Sequence, residues 1–306
     1  MTDPTFRYQT PAAFRTALKD RFGHIARTDR RYTLDELQRQ FAYDRVLARL
    51  FSSPDAARWV LKGAGALLAR LASARHSKDV DVFFDATEAD VDDAVHALRA
   101  ALQIDLGDHF LLDIVRVAPL QEDAKGVRVH VTARLGATSF ATFHIDVVVG
   151  AVMTDTPDIV PPLTPLDIEG LVRPSYQVFP VADHLADKLC ATVGVYKRTG
   201  QQASSSRVKD LVDIAIIAST LTIDSTALRT AVIVNAAWRK LMLPERFALL
   251  DPAGWAARYP RVAADAPGPV PDYHTAVNLA CQVFDPILDA TATGVWSPSA
   301  RAWVSQ

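Results

Sequence analysis

The residues best placed to do chemistry are Asp79 and Asp81, in the run Ser77-Lys78-Asp79-Val80-Asp81-Val82-Phe83-Phe84. Side chains alternate along a strand, so the two carboxylates share one face while Val80, Val82 and Phe84 take the other. Side by side they repel and raise each other's pKa unless a cation or several donors stabilise them. A hard divalent ion such as Mg²⁺ supplies that stabilisation, and it binds a few carboxylates together with substrate phosphates. Asp146 is the third candidate: Phe143, Ile145, Val147 and Val149 mark the apolar face of its strand and leave His144 and Asp146 on the opposite one. Three carboxylates on neighbouring strands suit a two-metal site, in which one ion activates an attacking hydroxyl and the other holds nucleotide phosphates. His144 reads as a bystander. The competing reading of Asp-x-Asp is a half-exposed strand with acids on its wet side.

Cations and glycines surround these acids in sequence. Lys62-Gly63-Ala64-Gly65 joins a strand to a short helix, and backbone N–H groups at such a helix start can hold phosphate oxygens, although a glycine turn can equally just make the corner. Arg75, Ser77 and Lys78 precede the acidic pair and suit a metal-bound polyphosphate. Lys188 lies at the margin of the apolar stripe Val181, Leu185, Leu189, Thr192 and Tyr196, where it either meets a partner or snorkels. Further on, Arg207 and Asp210 fall among Leu211, Ile214 and Ile217 and are expected to be partly buried as an i, i+3 pair, whereas Lys209 and Asp213 are assigned the polar side. Asp210 then either bridges Arg207 or orients an active-site cation. Unpaired burial would be too costly in either case.

The elements that must position these groups follow from periodicity. Two amphipathic helices between Pro11 and about Ser52, the second capped by Thr33, precede a strand at Arg58 to Leu61, a short helix from Ala66 to Leu71 and a strand from Asp79 to Phe84. A helix spans Glu88 to Ile104, and strands follow at His109 to Val117, Val127 to Leu135 and Ser139 to Val149. After a proline-bearing stretch from Thr156 to Pro165 and a short strand near Gln177 to Phe179, helices are predicted near 181–196, 206–219, 224–239 and 272–289. Gly200 to Ser206 reads as a mobile loop.

A chain of 306 residues with 49% hydrophobic content can bury a large core, which excludes a disordered tail. The formal charge of −2 excludes a uniformly basic nucleic-acid binder, so any RNA contact is a local patch. Such a patch can come from residues 1–85, with 15 Lys/Arg against 10 Asp/Glu, although solvated helix faces explain most of those charges. Only Cys190 and Cys281 are present, without zinc-site spacing, which fits a reducing cytoplasm. No export signal and no stretch of roughly 18 apolar residues is found.

Taken in order, Leu61-Lys62-Gly63-Ala64-Gly65-Ala66-Leu67, Arg75-His76-Ser77-Lys78-Asp79-Val80-Asp81, the acid of His144-Ile145-Asp146, Ala186-Asp187-Lys188 and Arg207 to Ile214 resemble the AbiEii/AbiGii toxin family. That family belongs to the DNA polymerase β-like nucleotidyltransferases and includes the MenT toxins. The resemblance implies a bi-lobed α+β fold: a nucleotidyltransferase lobe over 1–160, with a mixed sheet flanked by helices, a mainly helical lobe over 161–306, and the active site in the cleft between them. It implies Mg²⁺-dependent transfer of a nucleoside monophosphate from an NTP to an acceptor, in the MenT group the 3′ end of tRNA. Asp79 and Asp81 would hold metal, and Asp146 would complete that site or act as base. Lys62, Gly63, Gly65, Arg75, Ser77, Lys188 and Arg207 would bind the NTP, Lys188 neutralising the leaving pyrophosphate and Asp210 assisting catalysis. A cognate antitoxin is implied as partner, and a phosphate added at Ser77 would repel both NTP and carboxylates. The alternatives are a catalytically idle relative that binds RNA or a partner protein, and an enzyme that nucleotidylates protein.

Overall fold

The computed structural model describes residues 6–71, 74–85, 90–120, 125–162, 166–198, 201–204 and 207–305. The chain divides into two compact units, one of Met1–Ala72, His76–Ala151 and Pro157–Val178, the other of Ser73–Arg75, Val152–Thr156 and Phe179–Gln306. As expected the fold is α+β, with a mixed sheet and helices in the first unit and a helical second unit.

The first unit opens with α1 (Pro11–Thr28), which Thr10 caps and Pro11 starts, and α2 (Leu34–Leu50). Thr33 and Glu36 form a reciprocal capping box at the start of α2. Then come β1 (Trp59–Leu61), α3 (Gly63–Arg70), β2 (Val80–Phe84), α4 (Val91–Leu102), β3 (Phe110–Pro119), β4 (Gly126–Leu135), β5 (Thr138–Val149), β6 (Asp158–Val160) and β7 (Tyr176–Val178). Helix α3 begins at Gly63, three residues before the expected start. The seven strands form one sheet in the order β3-β4-β5-β2-β1-β7-β6. Pairs β2–β5 and β1–β7 are parallel and the other neighbours antiparallel.

Alternation decides which side chains this sheet buries. Val80, Val82 and Phe84 of β2, the odd-numbered residues from Val127 to Leu135 of β4, and Phe143, Ile145, Val147 and Val149 of β5 join Phe14, Leu18, Leu37, Phe41 and Leu98 of the helices in one core. The polar positions of the same strands therefore face the other way. Helix α2 is tied to the rest of the unit by the buried ion pairs Arg49 to Asp108 at 2.8 Å and Arg45 to Asp108 at 3.4 Å, while Asp44, paired with Arg45 of the same helix, accepts from the Tyr176 hydroxyl. Burial raises the cost of ionising Asp108, but Arg49 and Arg45 outweigh it and hold the carboxyl below its ordinary range.

The second unit consists of α5 (Val181–Val193), the hairpin β8 (Val195–Arg198) and β9 (Gln201–Ser204), α6 (Val208–Thr220), β10 (Ile223–Asp224), α7 (Ser225–Trp238), α8 (Pro252–Ala263), α9 (Tyr273–Leu288), β11 (Val295–Ser297) and β12 (Ala302–Val304). Strands β10, β11 and β12 form a small antiparallel sheet. The expected loop over 200–206 is partly strand, because Gln201–Ser204 pairs with Val195–Arg198; Gly200, Ser205 and Ser206 lie outside the described residues. Helix α6 is apolar around most of its circumference, and its carbonyl at Ala218 accepts a 2.7 Å hydrogen bond from the buried indole of Trp296. Among the described residues, no helix is long and apolar enough to cross a membrane.

Candidate active site

The sheet brings the three expected acids together. Asp81 of β2 and Asp146 of β5 are direct register partners in a parallel pair, and Asp79 enters the sheet one residue ahead of β2. One carboxylate oxygen from each of Asp79, Asp81 and Asp146 lies within 4.8 Å of the others. The row continues onto β4, where Arg128 is the antiparallel partner of Asp146. Its guanidinium grips that carboxylate with both prongs, Nε to Oδ1 at 2.8 Å and Nη2 to Oδ2 at 2.7 Å. Arg128 was invisible to sequence reasoning, since cross-strand register is not written in either strand alone. His144, read as a bystander, has its Nε2 3.6 Å from Asp79 Oδ2.

The turn before α3 serves this row first. Gly63 has φ of +59°, and a Cβ on it would come within 2.0 Å of Asp81 Oδ2. Only glycine combines that backbone with that clearance. The Lys62 amide donates to the Asp81 carbonyl at 2.8 Å, which fixes the acid's backbone. Gly65 instead lets α3 approach β1, its Cβ position being 3.3 Å from Leu61 Cδ1.

The segment entering β2 is anchored in turn. His76 Nε2 lies 2.8 Å from the Arg31 carbonyl, which can only accept, so the ring donates there and Nδ1 takes the Gln40 side-chain amide of α2. Ser77 is buried; its hydroxyl donates to the Asp79 carbonyl at 2.7 Å and sits 3.1 Å from Asp79 Oδ1. Ser77 thus orients an acid in this structure, whatever it also does toward a nucleotide.

The donor set fits a hard divalent cation, which favours oxygen ligands and carboxylates above all. Tyr43 of α2 is only 2% exposed, yet its hydroxyl has no hydrogen-bond partner among the described residues. Burial chiefly, with the charges of Asp79 and Asp81 against that of Arg39, pushes this phenol well above its ordinary pKa. A buried polar atom without a protein partner is most simply met by an ordered water. Tyr43→Phe is expected to change unfolding free energy by under about 1 kcal/mol, because no protein hydrogen bond is lost. Urea unfolding of both proteins checks this, and a loss above about 2 kcal/mol would contradict it.

In the second unit, Lys188 is buried rather than snorkelling. Its Nζ lies 2.6 Å from Asp213 Oδ2 and 3.3 Å from Asp210 Oδ1. Arg75 forks onto Asp213 at 2.9 and 3.0 Å, and Arg207 pairs with Asp210 at 2.8 Å as its spacing allowed. The placement of Asp213 on a polar side is corrected: it is 0% exposed and holds two cations. Residues three apart on a helix sit about 60° apart, so Asp210 and Asp213 share a face, and the spacing itself carried the signal. Burial penalises the Lys188 ammonium, but Asp213 and Asp210 outweigh it and hold its pKa above the ordinary value. For Asp213 burial works upward, while Lys188 and Arg75 hold it far below the carboxylate range.

A family profile described as "Nucleotidyl transferase AbiEii toxin, Type IV TA system" matches residues 45–290. The chain belongs to this family. This AbiEii-family nucleotidyltransferase gathers the acidic triad Asp79, Asp81 and Asp146 at its mixed sheet. Among solved structures, the chain is similar to MenT4, a nucleotidyltransferase toxin from Mycobacterium tuberculosis H37Rv, with a TM-score of 0.49 and 16% identity over 84% of this chain and 94% of that one. It is also similar to JHP933 from Helicobacter pylori, with a TM-score of 0.45 and 15% identity over 84% of this chain and 95% of that one. A comparison with curated protein sequences finds no match.

Proposed function

We propose that this AbiEii-family protein transfers a nucleoside monophosphate from an NTP to the 3′ end of tRNA, with Mg²⁺, and so blocks aminoacylation. The observation that carries the reading is the convergence of Asp79, Asp81 and Asp146 within 4.8 Å on one face of the sheet. Asp79 and Asp81 are assigned to hold divalent metal, and Asp146 to complete that set or to take the proton of the acceptor hydroxyl. The bound metal would polarise the phosphoryl oxygens and lower the pKa of the attacking hydroxyl.

The remaining roles belong to the chain's own groups. Gly63 keeps the Asp81 carboxylate in place, Ser77 orients Asp79, and the amides from Gly63 to Gly65, with the Lys62 side chain, are assigned to phosphate oxygens. Lys188 is assigned to neutralise charge as pyrophosphate leaves, with Arg75 and Arg207 as further triphosphate contacts and Asp210 and Asp213 setting their positions. A cognate antitoxin and work in the cytoplasm, where NTPs and tRNA meet, belong to the same reading.

Incubation with each α-labelled NTP, Mg²⁺ and total RNA tests it. Label is expected in tRNA, and Asp81→Ala is expected to abolish it. Label in protein would replace the acceptor by a polypeptide, and absence of label with tight RNA binding would leave an idle binding module.

A further inference from the structure

We propose that Arg128 is a built-in counter-ion, which competes with divalent metal for the acidic row and restrains metal binding until nucleotide arrives. The proposal rests on the reading of the three acids as a metal site. Three carboxylates whose oxygens approach within 4.8 Å repel one another when no cation is near. In this fold a cation is supplied from the next strand, at the register position directly opposite Asp146. A side chain that merely oriented Asp146 for a metal would take one oxygen and leave the other. Arg128 takes both, at 2.8 and 2.7 Å.

The pair is also built to come apart. The Arg128 side chain is 42% exposed while that of Asp146 is 12% exposed, so the guanidinium can swing outward without disturbing the core. Among the described residues it bonds Asp146 alone. A released guanidinium is a planar, permanently charged fork suited to phosphate oxygens. Arg128 therefore trades one anion for another: Asp146 in the empty enzyme, a phosphate of the nucleotide in the loaded one. Binding of metal and nucleotide becomes mutually reinforcing, since each lowers the cost of moving the same side chain.

Mn²⁺ binding to the full chain, followed by the electron paramagnetic resonance of free Mn²⁺, tests this with and without a non-hydrolysable NTP analogue. Arg128→Gln is expected to bind Mn²⁺ alone about tenfold more tightly than the unsubstituted protein, because a positive charge beside the site is gone. Arg128→Lys, which keeps the charge, is expected to stay within about threefold. The analogue is expected to tighten Mn²⁺ more in the unsubstituted protein than in Arg128→Gln. Unchanged or weaker Mn²⁺ binding in a folded Arg128→Gln protein would overturn the counter-ion while leaving the metal site standing; a positioning role would give a loss of roughly 10- to 100-fold. If no form binds Mn²⁺ even with the analogue, the metal reading itself fails and the counter-ion with it.

Discussion

Gly63→Ala is expected to lower nucleotide transfer by about 100-fold or more and to destabilise the first unit by about 1–3 kcal/mol. Two independent costs converge at this residue. Its φ of +59° strains any side chain, and the new Cβ would stand 2.0 Å from Asp81 Oδ2 and 2.8 Å from Asp81 Cγ. Neither side can yield cheaply: Asp81 is held by the β2–β5 ladder, and the turn by the Lys62 amide on the Asp81 carbonyl. The carboxylate must therefore move, and a shift near 1 Å at a reacting centre suffices for a loss of that size. Gly65→Ala provides the contrast in stability. Its added Cβ meets the flexible end of Leu61 at 3.3 Å without a left-handed backbone, so a change under about 1 kcal/mol is expected in urea unfolding. Equal destabilisation of the two variants would contradict this assignment of the turn.

The second large effect lies at Asp213. Asp213→Asn keeps the shape but leaves buried Lys188 without its 2.6 Å partner and Arg75 without its fork, and breaking such a pair costs about 3–5 kcal/mol. The pH dependence has a definite sign. The carboxyl of Asp213 is depressed in the folded state, so its contribution is complete above the unfolded carboxylate pKa of about 3.9 and is lost as pH falls through the folded value. Lys188 is raised, so its contribution is complete below the unfolded value of about 10.4 and fades as pH rises through the folded one. Urea unfolding of the unsubstituted protein should show a plateau between those limits and weaken on acidification. Asp213→Asn should be weaker on the plateau and lose less with acid. Parallel acid profiles would contradict the assignment.

Much of both clusters, one in each unit, was legible in the chain. Period-two alternation put Asp81 and Asp146 opposite their valines and isoleucine, and the i, i+3 spacing paired Arg207 with Asp210. Lys188 at the margin of an apolar stripe could meet a partner or snorkel, and it has two partners. What stayed hidden depends on contacts distant in sequence. Arg128 reaches Asp146 only through the register of β4 and β5, and Arg75 meets Asp213 across 138 residues. Helix α8 was missed because Gly254 and Pro260 interrupt its pattern, although Asp251 caps it and Pro252 starts it. Strands β6 and β10–β12, two or three residues each, are too short to show a period.

The central claim is that Asp79, Asp81 and Asp146 hold divalent metal for a nucleotide. Anomalous scattering from crystals soaked with Mn²⁺ and a non-hydrolysable NTP addresses it most directly. The expected result is an anomalous peak within about 2.5 Å of oxygens from at least two of the three acids, with the triphosphate on the same peak. A saturated crystal with ordered nucleotide and no peak at these carboxylates, or with its metal held elsewhere, would contradict it.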